Sequence, residues 1–514
     1  MNRRGWLLAI GLSVLASSAA WTEAAEPARP PVGINLGGVT YYSAELPFVD
    51  AMKMSKPWVP QARGKPYGQG PKPDLRPDGY PKSLAPDTWV DSITLLCDGH
   101  YAPGDYVCLY AGKGTLEFKG AKVTASAPGR IELAVVGDKN GVHIKLAATD
   151  PADPVHAMRL VPKAAEATYQ EHPFRPEFLK RWGNMKALRF MDWMRTNGSK
   201  IAEWSDRPLP TDQTQGARGV ALEHMIALAN TMKADPWFCM PHLASDDFVR
   251  QFATMVKAGL AKDRKVYIEY SNETWNFQFA QTKYCAAKGK ELKLSDNEYQ
   301  GALRYHARRA CEIFKIWEGV FGGRDRLVRV LAAQSANTST TETICAYEDA
   351  AKKADALAIA PYFGHALGNP KTTDEVAALS ADQVIERCRD ILVKERATME
   401  KQAALAKKFG LRLFAYEFGQ HLVGHGGAEN NAKLTALFIE ANRRPAMKDL
   451  YLTHLRNWQA AGGDLCTIFS SMSTPSKWGS WGILEYEGQD PATAPKWQAV
   501  QEFIGEPRPF GAGR

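Results

Sequence analysis

The sequence lacks several patterns that would place it in common functional classes. Beyond the N-terminal segment, no apolar run reaches the length that a transmembrane helix needs. No GxGxxG motif follows the first predicted strand and no GxxxxGK[ST] motif occurs, which disfavours nucleotide-binding folds. The 64 Lys and Arg and 56 Asp and Glu residues are interspersed, so the formal charge of +8 forms no basic block. We therefore expect no nucleic-acid partner.

The eight cysteines are widely spread and form no CxxC pair, which argues against a zinc knuckle. Cys97 and Cys108 bracket a predicted hairpin and are the best candidates for a disulfide in an oxidising compartment. Buried free thiols are the alternative. No pattern in the sequence calls for a cofactor or a metal.

The N-terminus has the pattern of a secretory signal peptide. Arg3 and Arg4 precede an apolar run from Trp6 to Ala16, and a stretch of small residues follows. We expect residues 1–20 to be removed, which would leave a secreted or periplasmic protein without a membrane anchor.

The pattern of apolar runs and turn signals changes along the chain and predicts two kinds of structure. The 514 residues are 45% hydrophobic and 23% charged, a globular composition too long for one average domain. Short β-type runs with tight turn signals predict a small antiparallel β-sandwich over residues 66–168. If this module binds sugar, exposed aromatic residues such as Tyr101 or Tyr106 should line one face of it; a structural role is the alternative.

The sequence pattern predicts an α/β fold of the (β/α)8 type over residues 32–60 and 172–505. One strand is expected near Val32–Leu36, and seven more are expected at 185–193, 236–242, 265–273, 326–334, 356–364, 411–419 and 466–472. Amphipathic helices alternate with these strands. Eight alternating units favour a closed barrel over an open doubly wound sheet, with the β-sandwich inserted between barrel strands one and two.

Carboxylates at two strand ends suggest a shared site. The active site of such a barrel lies at the C-terminal ends of its strands. Asn272 and Glu273 are predicted to end the fourth strand and Glu417 to end the seventh. Two carboxyl groups facing one pocket are what glycosidic bond cleavage requires, one as proton donor and one as nucleophile or base.

These motifs resemble the clan GH-A glycoside hydrolases, in which an Asn-Glu pair ends strand four and a Glu ends strand seven. The resemblance implies a retaining enzyme that acts on a β-linked polysaccharide or oligosaccharide. Glu273 is then the acid/base, Glu417 the nucleophile and Asn272 a partner of the sugar. It also implies substrate-site roles for further residues at the strand ends, namely Arg189, His242, Tyr362 and either Trp478 or Trp481. Trp275, within the SNETWN segment, is an additional candidate.

Several assignments have plainer alternatives. Glu269 is expected to form an inward ion pair with Arg189. His242 could be a hydrogen-bonded core histidine, and the two tryptophans near residue 480 could be packing residues. Two other functions compete: a non-catalytic carbohydrate-binding protein, and a metal-dependent hydrolase that would use His242, Asp246, His421 and His425.

Overall fold

The computed structural model describes residues 30–507, so the predicted signal peptide lies outside the described residues. In chain order the strands are β1 (Val32–Asn35), β2 (Val59–Ala62), β3 (Thr88–Thr94), β4 (Gly104–Ala111), β5 (Gly114–Lys119), β6 (Ala121–Ala127), β7 (Arg130–Val135), β8 (Val142–Thr149), β9 (His156–Pro162), β10 (Ala187–Arg189), β11 (Asp235–Met240), β12 (Val266–Tyr270), β13 (Leu327–Ala332), β14 (Ala356–Ile359), β15 (Arg412–Phe418) and β16 (Cys466–Ile468).

The α-helices are α1 (Pro176–Trp182), α2 (Leu222–Met232), α3 (Asp246–Gly259), α4 (Ala280–Glu291), α5 (Glu298–Phe321), α6 (Thr338–Ala346), α7 (Thr373–Ala377), α8 (Ala381–Lys408), α9 (Ala432–Arg443), α10 (Ala446–Ala460) and α11 (Pro495–Gly505). Short 3-10 segments lie at Ala51–Met54, Lys163–Ala165, Trp204–Asp206, Tyr347–Lys353, His365–Gly368, Pro370–Thr372, Ala428–Asn430 and Pro491–Thr493.

Eight strands close into a parallel barrel in the order β1-β10-β11-β12-β13-β14-β15-β16. Each neighbouring pair is parallel, and β16 pairs with β1 to close the ring. The predicted (β/α)8 fold is confirmed. Alternate strand residues such as Trp237, Tyr267 and Phe414 fill the barrel interior, while their neighbours pack under the surrounding helices.

The sequence sets the bounds of the longer helices. In α5 the Asn297 side chain accepts from the Gln300 amide at the first turn, and Gly322, with φ of 77°, ends the helix. In α8 Ser380 and Gln383 form a reciprocal capping box. Both helices have the long amphipathic pattern that the sequence predicts.

Two four-stranded antiparallel sheets come between β1 and β10 in the chain, with strand orders β2-β3-β8-β5 and β6-β7-β4-β9. Their buried faces, including Ile144 and Leu133, join the same apolar cluster as the outer face of the barrel. Strand β2 lies N-terminal to the range 66–168 predicted for this region. The expectation of exposed Tyr101 and Tyr106 is wrong, because these side chains are only 6% and 2% exposed.

The cysteines are free thiols, and Cys97 and Cys108 are both buried. Burial raises the pKa of each of these two thiols to about 12, which leaves them protonated and unreactive at neutral pH. Within residues 30–507, no helix combines the length and the apolar character needed to cross a bilayer.

Candidate active site

A β-bulge in β15 turns two consecutive side chains toward the barrel axis. The pairing of β15 with β16 shifts register between Ala415 and Phe418. Tyr416 lies in the interior cluster, and Glu417, the next residue, also reaches the centre of the barrel mouth. Regular strand alternation would send one of the two outward, so the bulge is what brings both into the site.

Arg189, at the end of β10, is fully buried at the floor of the site and holds the surrounding groups in place. Its guanidinium donates to both oxygens of Glu269 at 3.1 Å, which confirms the predicted ion pair. It also donates to Glu417 Oε1 at 3.1 Å and to Asn272 Oδ1 at 2.9 Å. A fifth bond, to Asn35 Oδ1 at 3.0 Å, ties the cluster to β1. Arginine suits this position because its rigid fork satisfies several acceptors at once.

Asn272 and Glu273 lie in the loop after β12 rather than at the end of the predicted strand, because the strand ends at Tyr270. Ser271 and Glu273 have φ angles of 59° and 44°, in the left-handed region that non-glycine residues seldom adopt. The Gln281 side chain fixes this turn by donating to the Asn272 carbonyl oxygen at 2.8 Å. Such backbone conformations cluster at functional sites, where surrounding bonds hold them.

The surroundings of Glu273 favour the protonated form of its carboxyl group. Its carboxyl accepts from Asn276 Nδ2 at 3.0 Å and from the Tyr416 hydroxyl at 3.3 Å, and no basic side chain contacts it among residues 30–507. Burial, followed by the nearby negative charge of Glu417, raises the pKa of Glu273 to about 8. The group therefore carries a proton at neutral pH, as a general acid must.

Glu417 has the opposite surroundings. Arg189 donates to one oxygen and the Tyr362 hydroxyl donates to the other at 2.8 Å. Burial raises the pKa of Glu417, while Arg189 and Tyr362 both lower it by stabilising the anion. Of the two coupled carboxyls, Glu417 is the one whose charge is matched by a contacting cation, so it ionises first.

Aromatic side chains form a wall beside Glu417. Tyr362 contacts the rings of Trp481, His421 and Phe469 edge-on, at centroid distances of 5.6, 5.6 and 6.3 Å. The Trp481 indole donates to the Trp478 carbonyl oxygen at 2.7 Å, while the Trp478 side chain is 64% exposed. The structure thus places Trp481 against Tyr362, which bonds Glu417, whereas the Trp478 ring is exposed on the same loop.

His242 and Trp275 lie near the mouth without bonding either glutamate. The His242 ring packs against Tyr284, and its Nδ1 is buried without a hydrogen-bond partner among the described residues. Burial lowers the pKa of His242 to about 4, with a further contribution from the charge of Lys200, so the ring is neutral. Trp275 is half-buried against the main apolar cluster.

Three histidines, His365 after β14 and His421 and His425 after β15, contact one another beside the aromatic wall. His365 stacks on His425 and lies with its Nδ1 3.3 Å from that of His421. Asp246 instead pairs with Arg309 at 2.6 Å. Among residues 30–507, no group of three or more His, Cys, Asp or Glu side chains could hold a metal ion. The metal-dependent alternative therefore lacks a ligand set there.

Sequence reasoning missed several groups that contact Glu273 or the residues around the two glutamates. Tyr416 and Asn276 bond Glu273, Asn35 bonds Arg189, and the Asn197 side chain accepts from Asn272 Nδ2 at 3.1 Å. Asn276 could have been predicted, because a residue three positions after Glu273 in a tight turn lies close enough to bond it. The other contacts join segments that are distant in sequence or depend on the bulge.

No protein-family model and no curated protein matches this chain. One similar solved structure is a 4-O-α-L-rhamnosyl-β-D-glucuronidase from Fusarium oxysporum, with 12% identity, a TM-score of 0.39 and 66% of each chain covered. A Bacteroidetes-affiliated GH5 cellulase has 8% identity and a TM-score of 0.38, with 65% of this chain and 87% of that chain covered. A β-glucosidase from Thermotoga maritima has 11% identity and a TM-score of 0.36, with 66% and 87% covered.

These neighbours include clan GH-A enzymes, the clan that the sequence motifs resemble. Because the identities and TM-scores are low, the similarity carries no argument about activity.

Proposed function

We propose that this protein is a retaining glycoside hydrolase that cleaves β-glycosidic bonds of a polysaccharide or oligosaccharide. The observation that carries the proposal is the pair of carboxyl groups at the barrel mouth with opposite surroundings. Glu417 contacts a buried arginine, whereas Glu273 contacts only neutral donors. One carboxylate and one carboxylic acid facing one pocket are the two groups that double displacement needs.

In the proposed reaction Glu273 protonates the leaving oxygen while Glu417 attacks the anomeric carbon and forms a glycosyl-enzyme. Glu273, now ionised, then removes a proton from the incoming water, and the sugar leaves Glu417 with its original configuration. Arg189 and Tyr362 hold the attacking oxygens of Glu417 in position. Asn272 keeps its side-chain oxygen on Arg189, and Trp481 supplies an aromatic face beside Tyr362 for the sugar.

A non-catalytic carbohydrate-binding protein remains the alternative function. Catalysis is favoured because sugar binding alone has no need of two carboxyls at one pocket, whose mutual repulsion and desolvation are costly. We further propose that the protein is secreted or periplasmic, which rests on the signal-peptide pattern of residues 1–20. N-terminal sequencing of the chain recovered from outside the cytoplasm tests that location.

The test of function is hydrolysis of a panel of glucan, mannan, xylan and galactan oligosaccharides with product analysis. We expect the wild type to cleave at least one, and Glu273→Ala and Glu417→Ala each to lose about a hundredfold or more in kcat/KM. Glu171→Ala, an exposed carboxylate far from the pair in sequence, is the control and should retain activity. Full activity in either active-site variant would refute the proposed roles.

A further inference from the structure

A cavity opens in the loop that joins β10 to α2. Its volume is about 390 Å³, within the range of about 300–1,000 Å³ that is usual for small-ligand pockets. Its walls include three basic side chains, Arg195, Lys200 and Arg218, and one acidic side chain, Asp206. We refer to this space as the loop cavity.

Two carboxylates are already engaged: Asp206, which lines the loop cavity, and Asp212, which pairs with a lining arginine. Arg218 is paired with Asp212 at 2.9 Å, which neutralises that cation. The Asp206 carboxylate accepts from the backbone amides of Ala202 and Glu203 at 3.1 and 2.8 Å. Asp206 therefore caps its own turn and forms no ion pair with Lys200 or Arg195.

Lys200 and Arg195 remain without a contacting carboxylate. Lys200 is exposed and forms no ion pair among residues 30–507. Arg195 donates through one nitrogen to the carbonyl oxygens of Gly216 and Ala217, which carry no formal charge. Asp192 interacts electrostatically with Arg195 without contacting it, and burial, followed by the charge of Glu417, raises the pKa of Asp192 to about 6. The loop cavity therefore presents two cations that contact no carboxylate among residues 30–507.

The loop cavity shares a wall with the catalytic loop. Asn197 lines the cavity, and its side-chain oxygen accepts from Asn272 Nδ2 at 3.1 Å and from Gln281 Nε2 at 2.7 Å. The next amide, Gly198 N, donates to Gln281 Oε1 at 3.1 Å. Asn197 therefore separates the loop cavity from Asn272. Gln281, which bonds Asn197, also fixes the turn that carries Glu273.

We propose that the loop cavity binds an anionic substituent of the glycan, so that the substrate class is an acidic polysaccharide or oligosaccharide; this inference rests on the proposed glycosidase function. Lys200 and Arg195 supply the charge-assisted hydrogen bonds. The substituent is either the carboxylate of a uronic acid or a sulfate ester, since both offer the oxygens that such bonds need.

The test compares substrates that differ only in charge. Cello-oligosaccharides are compared with oligoglucuronides of the same linkage and length and with their sulfated counterparts, and neutral mannan oligosaccharides with oligomannuronides. We expect kcat/KM to be about tenfold or more higher for one acidic member, and Lys200→Glu to reduce that preference at least about tenfold. Lys139→Glu, an exposed charge reversal in the turn between β7 and β8, is the control and should keep the preference.

The outcomes separate this inference from the proposed function. Hydrolysis with equal preference for neutral and acidic substrates, unchanged by Lys200→Glu, overturns the inference and leaves the glycosidase function standing. If wild type hydrolyses none of the substrates, the proposed function fails. Calorimetric titration with the oligoglucuronide and the sulfated oligosaccharide then tests whether the loop cavity binds an anionic glycan. Binding that Lys200→Glu weakens supports an anion site there, whereas no binding overturns it. Preference for the uronic-acid substrate or for the sulfated substrate shows whether the cavity binds a carboxylate or a sulfate ester.

Discussion

At the scale of single residues, each carboxyl of the pair accepts a hydrogen bond from a different tyrosine hydroxyl. Tyr416 donates to Glu273 at 3.3 Å, and Tyr362 donates to Glu417 at 2.8 Å. Each bond stabilises the ionised carboxyl and so lowers its pKa. Double displacement needs Glu417 charged and Glu273 protonated, so the pKa of Glu417 sets the acidic limb of activity and that of Glu273 the alkaline limb.

Removing each hydroxyl should therefore move a different limb of the pH profile. In the wild type we expect kcat/KM to fall above about pH 8, where Glu273 loses its proton. Tyr416→Phe should raise the pKa of Glu273 and shift the alkaline limb upward by roughly half to one pH unit. Tyr362→Phe should raise the pKa of Glu417 and shift the acidic limb upward by roughly one unit.

The measurement is kcat/KM against pH with the best substrate of the panel. Tyr110→Phe, in the antiparallel sheets, serves as the matched control and should keep both limbs. Movement of the same limb in both active-site variants would contradict the assignment of one hydroxyl to each carboxyl.

Residue identities at the site were predictable where one local rule sufficed. The positions of Glu273 and Glu417 follow from strands that end at one barrel mouth, and the Glu269–Arg189 pair follows from strand alternation. Tyr416 was missed because alternation would turn it away from a neighbouring inward glutamate. Only the bulge in β15 allows both to face the site, and no residue near it marks a bulge in the sequence.

At the scale of elements, a buried carboxyl joins the loops at one side of the barrel. Glu45, after β1, accepts from Trp182 Nε1 of α1 and from Ser471 Oγ after β16, each at 2.6 Å. Burial raises the pKa of Glu45 to about 7, above its ordinary value of 4.5. The folded state therefore favours the protonated form, and ionisation at higher pH opposes folding.

Glu45→Gln should remove this pH dependence while it keeps both contacts. The amide oxygen can accept from Trp182, and the amide nitrogen can donate to the Ser471 hydroxyl. At about pH 4, below the ordinary pKa of 4.5, Glu45 is protonated in the folded state and mostly protonated in the unfolded state, so the two proteins should have similar free energies of unfolding. At about pH 8.5 the variant should be more stable by about 1–3 kcal/mol, as the raised pKa implies.

Urea unfolding at the two pH values measures the difference, with the exposed Glu171→Gln as the control. A stability difference that is the same at both pH values would show that Glu45 does not titrate between them. The sequence could not have revealed this group, because Glu45, Trp182 and Ser471 lie on three segments that only the closed barrel brings together.

Element boundaries were less predictable than element identity. All eight barrel strands form where apolar runs were expected, yet the predicted segment 185–193 contains only the three-residue strand β10. The apolar pattern continues past the strand because Met191 and Trp193 are buried in the loop beneath the site. An apolar run marks burial, and only the hydrogen-bonded register decides where pairing stops.

At the scale of the whole molecule, the chain interrupts its barrel after the first strand with two antiparallel sheets. Counting alternating units predicted the barrel, and the change to short strands with tight turns predicted the antiparallel region. The sequence could not say which face of these strands is buried, because Tyr106 and Cys108 alternate on the inward side whereas neighbouring Val107 is buried as well. Tyr101 and Tyr106 thus pack inside rather than offering a surface to sugar.

Azide rescue with stereochemical analysis tests the central claim, double displacement by Glu417 and Glu273, most directly. With Glu417→Ala and a substrate carrying a good leaving group, azide can enter the vacated space and should yield a glycosyl azide of inverted configuration. With Glu273→Ala and the same substrate, the intermediate still forms on Glu417, and azide should yield the retained glycosyl azide. Retained product from Glu417→Ala, or undiminished hydrolysis without azide in that variant, would contradict the account.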